Sequence, residues 1–233
     1  MQQARQRTAR QQEKKKWGLQ RRRISMAKID LNEKYALMSV FEQEGYAKGY
    51  QYICGVDEVG RGPLAGPVVT CAVILDPGVP ILGVDDSKKL SPKKRALLKQ
   101  EIEEKALAIG LGIVDESVID EINILNATKQ AMRQAIANLK IKPDLVLIDA
   151  VRLEGLEMAQ ENIIKGDARS VSIAAASIVA KETRDAMMAA YDDIYPGYNF
   201  AKHKGYGTAE HMQAIRELGP SPIHRRSFIK NIH

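Results

Sequence analysis

The sequence predicts an α/β protein in which strands and helices alternate around one sheet. Short apolar runs typical of buried strands recur along the chain, and most are followed by amphipathic stretches with helix-capping residues. With 233 residues, 45% of them hydrophobic, the chain is long enough for one well-buried domain and an appendage. We therefore expect a layered domain over residues 30–233 and a basic, flexible extension over residues 1–29.

Strands are predicted where β-branched or apolar residues cluster between turn residues. In chain order these are residues 52–56, 68–75, 109–114, 145–148 and 162–165. The run at 145–148 is wholly apolar, which is typical of a strand buried on both faces.

Helices are predicted from caps and apolar spacing. Asp30 and Glu33 have capping-box spacing, and Ser91 before Pro92 has the pattern of an N-cap followed by proline. The four predicted helices cover residues 30–46, 91–106, 123–139 and 170–191.

Positive charge is concentrated at the N-terminus. Residues 1–23 contain nine Lys or Arg and one acid, Glu13, so they contribute +8 to the net charge of +6 and the other 210 residues contribute −2. Such a segment can bind nucleic acid through phosphates, and equally it can be a solvated arm.

Two further features of the composition concern the compartment. No apolar run approaches the roughly 20 residues of a membrane span, so we expect no membrane partner. Cys54 and Cys71 lie in apolar runs without a CxxC pair. Buried thiols of this kind favour a cytoplasmic protein.

Acids follow three of the predicted strands. Asp57 and Glu58 come after the first, Asp149 after the run at 145–148, and Asp167 after the last. Ligands of open α/β sheets bind at strand ends, so these acids are site candidates. Taken singly, each is equally well explained as a solvated turn acid, a strand-end acid or a helix cap.

The sequence GVDEVGRGPLAGP, residues 55–67, resembles a phosphate-binding loop only superficially. It lacks the Lys-Ser/Thr pair and leads into a strand, and its acids would repel a phosphate by roughly 1–4 kcal/mol per charge pair. Carboxylates without His or Cys favour Mg²⁺ or Mn²⁺, and two such ions about 4 Å apart can hydrolyse a phosphodiester. Because neighbours on a strand face opposite ways, Asp57 and Glu58 should require a bulge or strand end, which Gly55, Gly60 and Gly62 would permit.

Seven segments together resemble the ribonuclease HII (type 2 ribonuclease H) family over about residues 50–230. They are GVDEVGRGPLAGPVV at 55–69, DSKKLS at 86–91, LID at 147–149, KGD at 165–167, ASIVAK at 176–181, HKGYGT at 203–208 and HRRSF at 224–228. The resemblance implies a ribonuclease H-like fold, with a mixed sheet flanked by helices and a helical C-terminal portion, in a protein that we expect to be a monomer.

By this resemblance, Asp57, Glu58, Asp149 and Asp167 are the catalytic carboxylates and bind two Mg²⁺ or Mn²⁺ ions. The family cuts the RNA strand of RNA/DNA hybrids. It also cuts on the 5′ side of a single ribonucleotide in duplex DNA, leaving a 3′-hydroxyl and a 5′-phosphate.

The resemblance also assigns substrate contacts. Backbone groups of Gly60, Arg61 and Gly62 would sense the 2′-hydroxyl, and Tyr206 would stack on the neighbouring deoxyribose. Phosphate contacts would come from Ser87, Lys88 and Lys181. For Arg184 and residues 224–226, phosphate contacts and ordinary salt bridges explain the sequence equally well.

Two alternatives remain open from the sequence. The basic extension and lysines would suffice for a nucleic-acid binding module without catalysis. A type 3 ribonuclease H would share the carboxylates but prefer runs of ribonucleotides. The Asp-Glu-x-Gly-Arg-Gly turn and Tyr206 favour type 2.

Overall fold

The computed structural model describes residues 30–232. The predicted extension, residues 1–29, lies outside the described residues, as does His233. Contacts divide the chain into residues 1–34 and 35–233, and of the first unit only residues 30–34 are described. Within the described residues, no helix combines the length and apolar character needed to cross a membrane.

A five-stranded mixed sheet forms the centre of the second unit. Its strands are β1 Ile53–Val59, β2 Val68–Ile74, β3 Ala108–Val114, β4 Leu145–Asp149 and β5 Ala159–Ile163. Their order is β3-β2-β1-β4-β5. The pairs β3/β2 and β2/β1 are antiparallel, whereas β1/β4 and β4/β5 are parallel. The predicted mixed sheet is confirmed.

Helices flank this sheet. Over residues 30–232 they are α1 Leu31–Met38, α2 Val40–Ala47, α3 Pro92–Lys105, α4 Glu116–Ala137, α5 Val171–Ile194, α6 Phe200–His203 and α7 Ala209–Leu218. Two 3₁₀ turns lie at Ser87–Lys89 and Gly166–Ala168. Helices α6 and α7 form the predicted helical C-terminal portion, although the residues after α7 are irregular.

Capping side chains determine where several helices begin. The Ser91 hydroxyl caps α3 as predicted, and Ser170 caps α5 in the same way. Helix α4 begins earlier than the predicted residue 123, because Asp115 caps it. Asn123 has a φ of 67° and accepts backbone N–H bonds two and three residues further on, so it caps a second segment after a kink. The sequence pattern thus identified only the later of the two starts.

Two other predicted boundaries were wrong. The helix expected over 30–46 is divided at Ser39, whose hydroxyl donates to the carbonyl of Tyr35 at 2.7 Å. Strand β5 begins three residues before the predicted 162–165 and ends two residues before it does. Its polar residues Gln160 and Asn162 donate hydrogen bonds to backbone carbonyls of the loop that follows β4. These side chains interrupt the apolar pattern, which is why the sequence did not indicate the start of β5.

Helix α5 packs directly against β1. Gly55 leaves room for this contact, since a Cβ there would lie 2.1 Å from the backbone carbonyl carbon of Ser172. The opposite face of the sheet packs on α4 through a second cluster that includes Val56 and Met132. With a core on each face, the open end of β1 and β4 is left for a site.

Candidate active site

The acids of β1 lie at the end of β4. Strand β1 pairs with β4 only as far as Val56 opposite Ile148, whereas its pairing with β2 continues for three further residues. In the same register Asp57 lies level with Asp149, the last residue of β4, and Glu58 lies one residue beyond it. This offset places both β1 acids beside the end of the neighbouring strand.

The expected bulge does not occur. Asp57 lies opposite Cys71 and Glu58 opposite Thr70 in an unbroken register, and Gly55 lies inside the regular strand. Of the two expectations, a bulge or a strand end, the bulge permitted by Gly55, Gly60 and Gly62 is therefore wrong. Because β4 ends first, side chains from both faces of β1 reach the same edge of the sheet.

Asp57 is a buried carboxylate, only 6% exposed. Its Oδ1 accepts the backbone N–H of Glu58 at 2.8 Å. Burial raises the pKa of Asp57 well above its usual range, and the nearby charges of Glu58 and Asp149 raise it further. A hydrogen bond from the Ser177 hydroxyl opposes this shift.

Glu58 shares the same negative environment. Burial raises its pKa and Asp149 adds to the shift, although the guanidinium of Arg61 opposes it. Arg61 Nη1 lies 3.4 Å from Glu58 Oε1. Arg61 therefore places one positive charge beside the acids of β1.

Asp149 and Asp167 are joined through a turn. Asp149 Oδ1 accepts the N–H of Gly166 at 2.9 Å, which ties the end of β4 to the 3₁₀ turn that carries Asp167. Burial raises the pKa of Asp167, followed by the charges of Asp86 and Asp149. Sequence reasoning missed Asp86 as a member of this cluster, because the residue stood only inside a quoted segment.

The donor set fits a hard cation. All of these ligand candidates are carboxylates, and the raised pKa values of Asp57, Glu58 and Asp167 reflect negative charge that burial leaves poorly compensated. Within residues 30–232, however, no three Asp, Glu, His or Cys side chains converge closely enough to hold one ion. The chemistry of the donor set nevertheless suits Mg²⁺ or Mn²⁺.

The predicted phosphate contacts differ in their surroundings. Lys88 is 82% exposed at its side chain, with Nζ 3.7 Å from Asp167 Oδ2. Lys181 is ion-paired with Asp185 at 2.7 Å. Ser87 is buried, and its hydroxyl lies 2.9 Å from that of Ser177. Of these three side chains, only Lys88 is both charged and largely exposed at the rim of the acid cluster.

The structure brings the glycine-rich turn together with Tyr206. A Cβ on Gly62 would lie 3.7 Å from Tyr206 Cε1. Tyr206 is 43% exposed, so its ring is accessible. Gly60 has a φ of 94°, and a Cβ there would lie 2.3 Å from Arg184 Nε. Glycine is required at this position by both the backbone and the neighbouring side chain.

For Arg184 and Arg225 the sequence left two interpretations open, phosphate contacts and ordinary salt bridges, and the structure supports neither. Each is fully buried, and neither forms a salt bridge within the described part of the chain. Their guanidinium groups donate instead to backbone carbonyls around the glycine-rich turn. The residues next to Arg184 and Arg225 in the sequence did not indicate that these arginines would bind the carbonyls of the turn.

Several known ribonucleases H are similar to this chain. The family described as Ribonuclease HII matches residues 54–231. Ribonuclease HII of Enterococcus faecalis is 55% identical over 218 residues, which cover 94% of this chain and 84% of that protein. The crystal structure of ribonuclease H2 from Pyrococcus horikoshii OT3 has a TM-score of 0.66 at 25% identity, covering 78% of this chain and 97% of that one. Bst-RNase HIII in complex with Mn²⁺ shares the fold with a TM-score of 0.55 at 20% identity, covering 75% and 65%.

Proposed function

The chain belongs to the ribonuclease HII family and is a ribonuclease H, and we propose that it cuts RNA strands in RNA/DNA hybrids and at single ribonucleotides in duplex DNA. At a single ribonucleotide the cut would fall on the 5′ side and leave a 3′-hydroxyl and a 5′-phosphate. The observation that supports this proposal best is the position of the acid cluster next to a glycine-rich turn and an exposed tyrosine.

Four acids would hold the metal: Asp57, Glu58, Asp149 and Asp167. When bound, two Mg²⁺ or Mn²⁺ ions supply Lewis-acid stabilisation of the phosphate and an activated water for in-line hydrolysis. The chain prepares these oxygens unequally. Asp57 is held by the Glu58 N–H and by Ser177, and Asp149 by the Gly166 N–H, whereas Glu58 has only the long contact with Arg61. The carboxylate of Glu58 is therefore less constrained than those of Asp57 and Asp149.

Ribose selection would come from the turn at Gly60, Arg61 and Gly62. Glycine lets the backbone approach a sugar without a Cβ in between. Tyr206 would stack on the adjoining deoxyribose, and its proximity to Gly62 supports a shared site for the two sugars of an RNA-to-DNA junction.

Backbone phosphates would be bound without regard to sequence. Lys88 is the best-placed side chain, since its exposed ammonium stands beside Asp167. Although burial opposes it, the charges of Asp167 and Asp86 raise the pKa of Lys88, so it stays cationic at neutral pH. For Ser87 and Lys181, phosphate contact requires replacing their present partners, Ser177 and Asp185.

The basic residues 1–29 would add binding to the duplex through phosphates rather than select the cut. We also propose that the protein acts as a monomer in the cytoplasm. RNA/DNA hybrids and DNA duplexes containing ribonucleotides would be its partners.

The proposal is tested with two end-labelled substrates, a DNA duplex with one ribonucleotide and a continuous RNA/DNA hybrid. Each is incubated with Mg²⁺, with Mn²⁺ or with EDTA. We expect both to be cut with either ion and neither with EDTA, and the single-ribonucleotide duplex to be cut only on the 5′ side.

Two outcomes would contradict the proposal. Binding without cleavage under both ions would indicate a non-catalytic module. Cleavage confined to the continuous hybrid would indicate the preference of a type 3 ribonuclease H.

A further inference from the structure

Residues 60–67 form a loop between β1 and β2 that is held by the C-terminal part of the chain. We call this segment the β1–β2 loop. Leu64 N–H donates to the Gly205 carbonyl and Gly66 N–H to the Ile223 carbonyl, both at 2.8 Å. Among the described residues, the loop has no backbone hydrogen bond between its own members. Its shape therefore depends on groups distant in sequence.

The guanidinium of Arg225 sits at the centre of this loop. Nε donates to Gly66 O at 2.9 Å, Nη1 to Arg61 O at 3.1 Å and to Pro63 O at 2.8 Å. Nη2 donates to Gly60 O at 2.5 Å and again to Gly66 O at 2.7 Å. A guanidinium has five N–H groups, and all five are used on the carbonyls of one loop.

This arrangement is costly for the folded state. Arg225 and Arg184 are both completely buried, with 0% of their surface exposed. Arg184 donates to Ala65 O and Pro67 O of the same loop. Burial, and then the charge of Arg184, lower the pKa of Arg225 to about 9, so it remains a cation at neutral pH. Apolar residues of similar volume often stabilise a protein as well as buried charges do, so stability alone does not account for two arginines here.

The carbonyl directions determine where the loop N–H groups point. All peptide bonds of the described residues are trans, so each C=O is opposite to the N–H of the next residue. Because Gly60 O and Arg61 O face Arg225, the N–H groups of Arg61 and Gly62 face away from it. Among residues 30–232 neither N–H has a hydrogen-bond acceptor. The β1–β2 loop thus carries two unpaired N–H donors that point away from Arg225, next to Tyr206.

We infer that Arg225 is a positioning residue for ribose recognition: it fixes the peptide groups of Gly60 and Arg61 so that the N–H groups of Arg61 and Gly62 meet the 2′-hydroxyl. This inference rests on the proposed function, which assigns the ribose to this turn. Arg225 itself touches neither ribose nor metal ligand. It acts through the loop from a point 165 residues away in sequence.

Lysine cannot replace Arg225 in this role. An ammonium has three donors and no planar fork, so Arg225→Lys keeps the charge but leaves loop carbonyls unpaired and lets peptide groups turn. The test measures KM and kcat on the single-ribonucleotide duplex and the inhibition constant of the matching all-DNA duplex. We expect Arg225→Lys to lower kcat/KM by roughly 10- to 100-fold, the equivalent of one or two lost hydrogen bonds, while the inhibition constant of all-DNA duplex stays unchanged.

Two control variants separate positioning from stability. Arg226→Lys makes the same change at an exposed neighbour, and Leu98→Ala removes buried volume from the core between α3 and α5. Both should retain the wild-type ratio of KM to the all-DNA inhibition constant, even where Leu98→Ala lowers the melting temperature. The inference would be overturned if the ratio of KM to the all-DNA inhibition constant changed in proportion to the melting temperature in every variant.

A measurement on the unmodified protein covers the case in which Arg225→Lys does not fold. In metal-free buffer, amide exchange followed by NMR should be fast for Arg61 and Gly62, and should slow when the ribonucleotide duplex is added but not with all-DNA duplex. Protection of both amides in the free protein would overturn the inference. If the wild-type enzyme itself binds the two duplexes equally, the proposed function fails first. If it discriminates and Arg225→Lys discriminates equally well, only the role of Arg225 fails.

Discussion

Lowering the pH from 8 to 5 should remove about 2 kcal/mol from the free energy of unfolding through one residue, His224. Its ring is 1% exposed and lies against His211, with their Nε2 atoms 3.0 Å apart. The backbone N–H of Ser221 donates to His224 Nδ1 at 2.9 Å, so that nitrogen must be unprotonated. At the other end of the pair, His211 Nδ1 lies 2.9 Å from the Tyr206 carbonyl and must carry a proton.

These constraints fix one proton on each ring. His224 donates through Nε2–H to Nε2 of His211, and His211 donates through Nδ1–H to Tyr206 O. An additional proton on His224 would sit on Nδ1 and face the Ser221 N–H. An additional proton on His211 would sit on Nε2 and face the Nε2–H of His224. Both neutral rings are therefore required to complete the chain of hydrogen bonds that ends at Tyr206.

The size of the effect follows from the pKa. Burial, and then the neighbouring His211, lower the pKa of His224 from 6.5 to about 4. A histidine with a lowered folded-state pKa stabilises the protein fully above pH 6.5 and loses that contribution as the pH falls toward the folded value. Integrated between the two states, the loss is about 2 kcal/mol at pH 5 and about 3 kcal/mol below pH 4.

Urea unfolding at pH 8, 7, 6 and 5 measures this loss. His224→Gln keeps a donor to His211 but does not titrate. Between pH 8 and pH 5 the free energy of unfolding of this variant should therefore fall by about 2 kcal/mol less than that of the wild type. Leu98→Ala, which removes volume from the core between α3 and α5, is a control that should lose stability equally at every pH. Equal pH dependence in wild type and His224→Gln would refute the assignment of a neutral, buried His224.

Three further predictions concern the proposed activity. Asp57→Asn keeps the shape but removes one ligand charge, so cleavage should fall by orders of magnitude while duplex binding survives; near-normal turnover would exclude the proposed role, and Asp193→Asn on α5 is the exposed control. Ser177→Ala removes the hydroxyl that bonds Asp57 and Ser87, and kcat should fall about tenfold, the equivalent of one hydrogen bond to a charged group, whereas an unchanged kcat would contradict the contact. Removal of residues 1–23 should weaken binding and flatten its dependence on salt without moving the cut; a shifted cut, or lost turnover at saturating substrate, would show that the segment does more.

The acids were predictable because local patterns carry them. Asp149 follows a four-residue apolar run, and the structure shows that run as β4, buried until the acid itself. Asp57 and Glu58 follow a similar run, and only the length of β1 was underestimated, since it continues through both acids to Val59. A strand end next to polar residues is a local feature, and a single sequence displays it.

The groups that support these acids were not predictable in the same way. Ser177 meets Ser87 across 90 residues of sequence, and Arg225 meets Gly60 across 165. Neither contact produces a periodic pattern, because each depends on how the sheet and the C-terminal segment pack. Arginine in a charged run such as HRRSF looks exposed, and its burial becomes apparent only when the carbonyls that it binds are brought together.

The glycines of GVDEVGRGPLAGP therefore serve one purpose that the sequence did not suggest. They do not form a bulge at the acids of β1, which lie in regular register. Gly60 instead leaves space for Arg184 and offers its carbonyl to Arg225. The acids are positioned by the sheet, by Ser177 of α5 and by the Gly166–Ala168 turn, whereas the carbonyls of Gly60 and Arg61 are held by Arg225. Because different residues support the two halves of the site, Asp57→Asn should abolish cleavage with ribose discrimination in binding intact, and Arg225→Lys should weaken discrimination with the acids still in place.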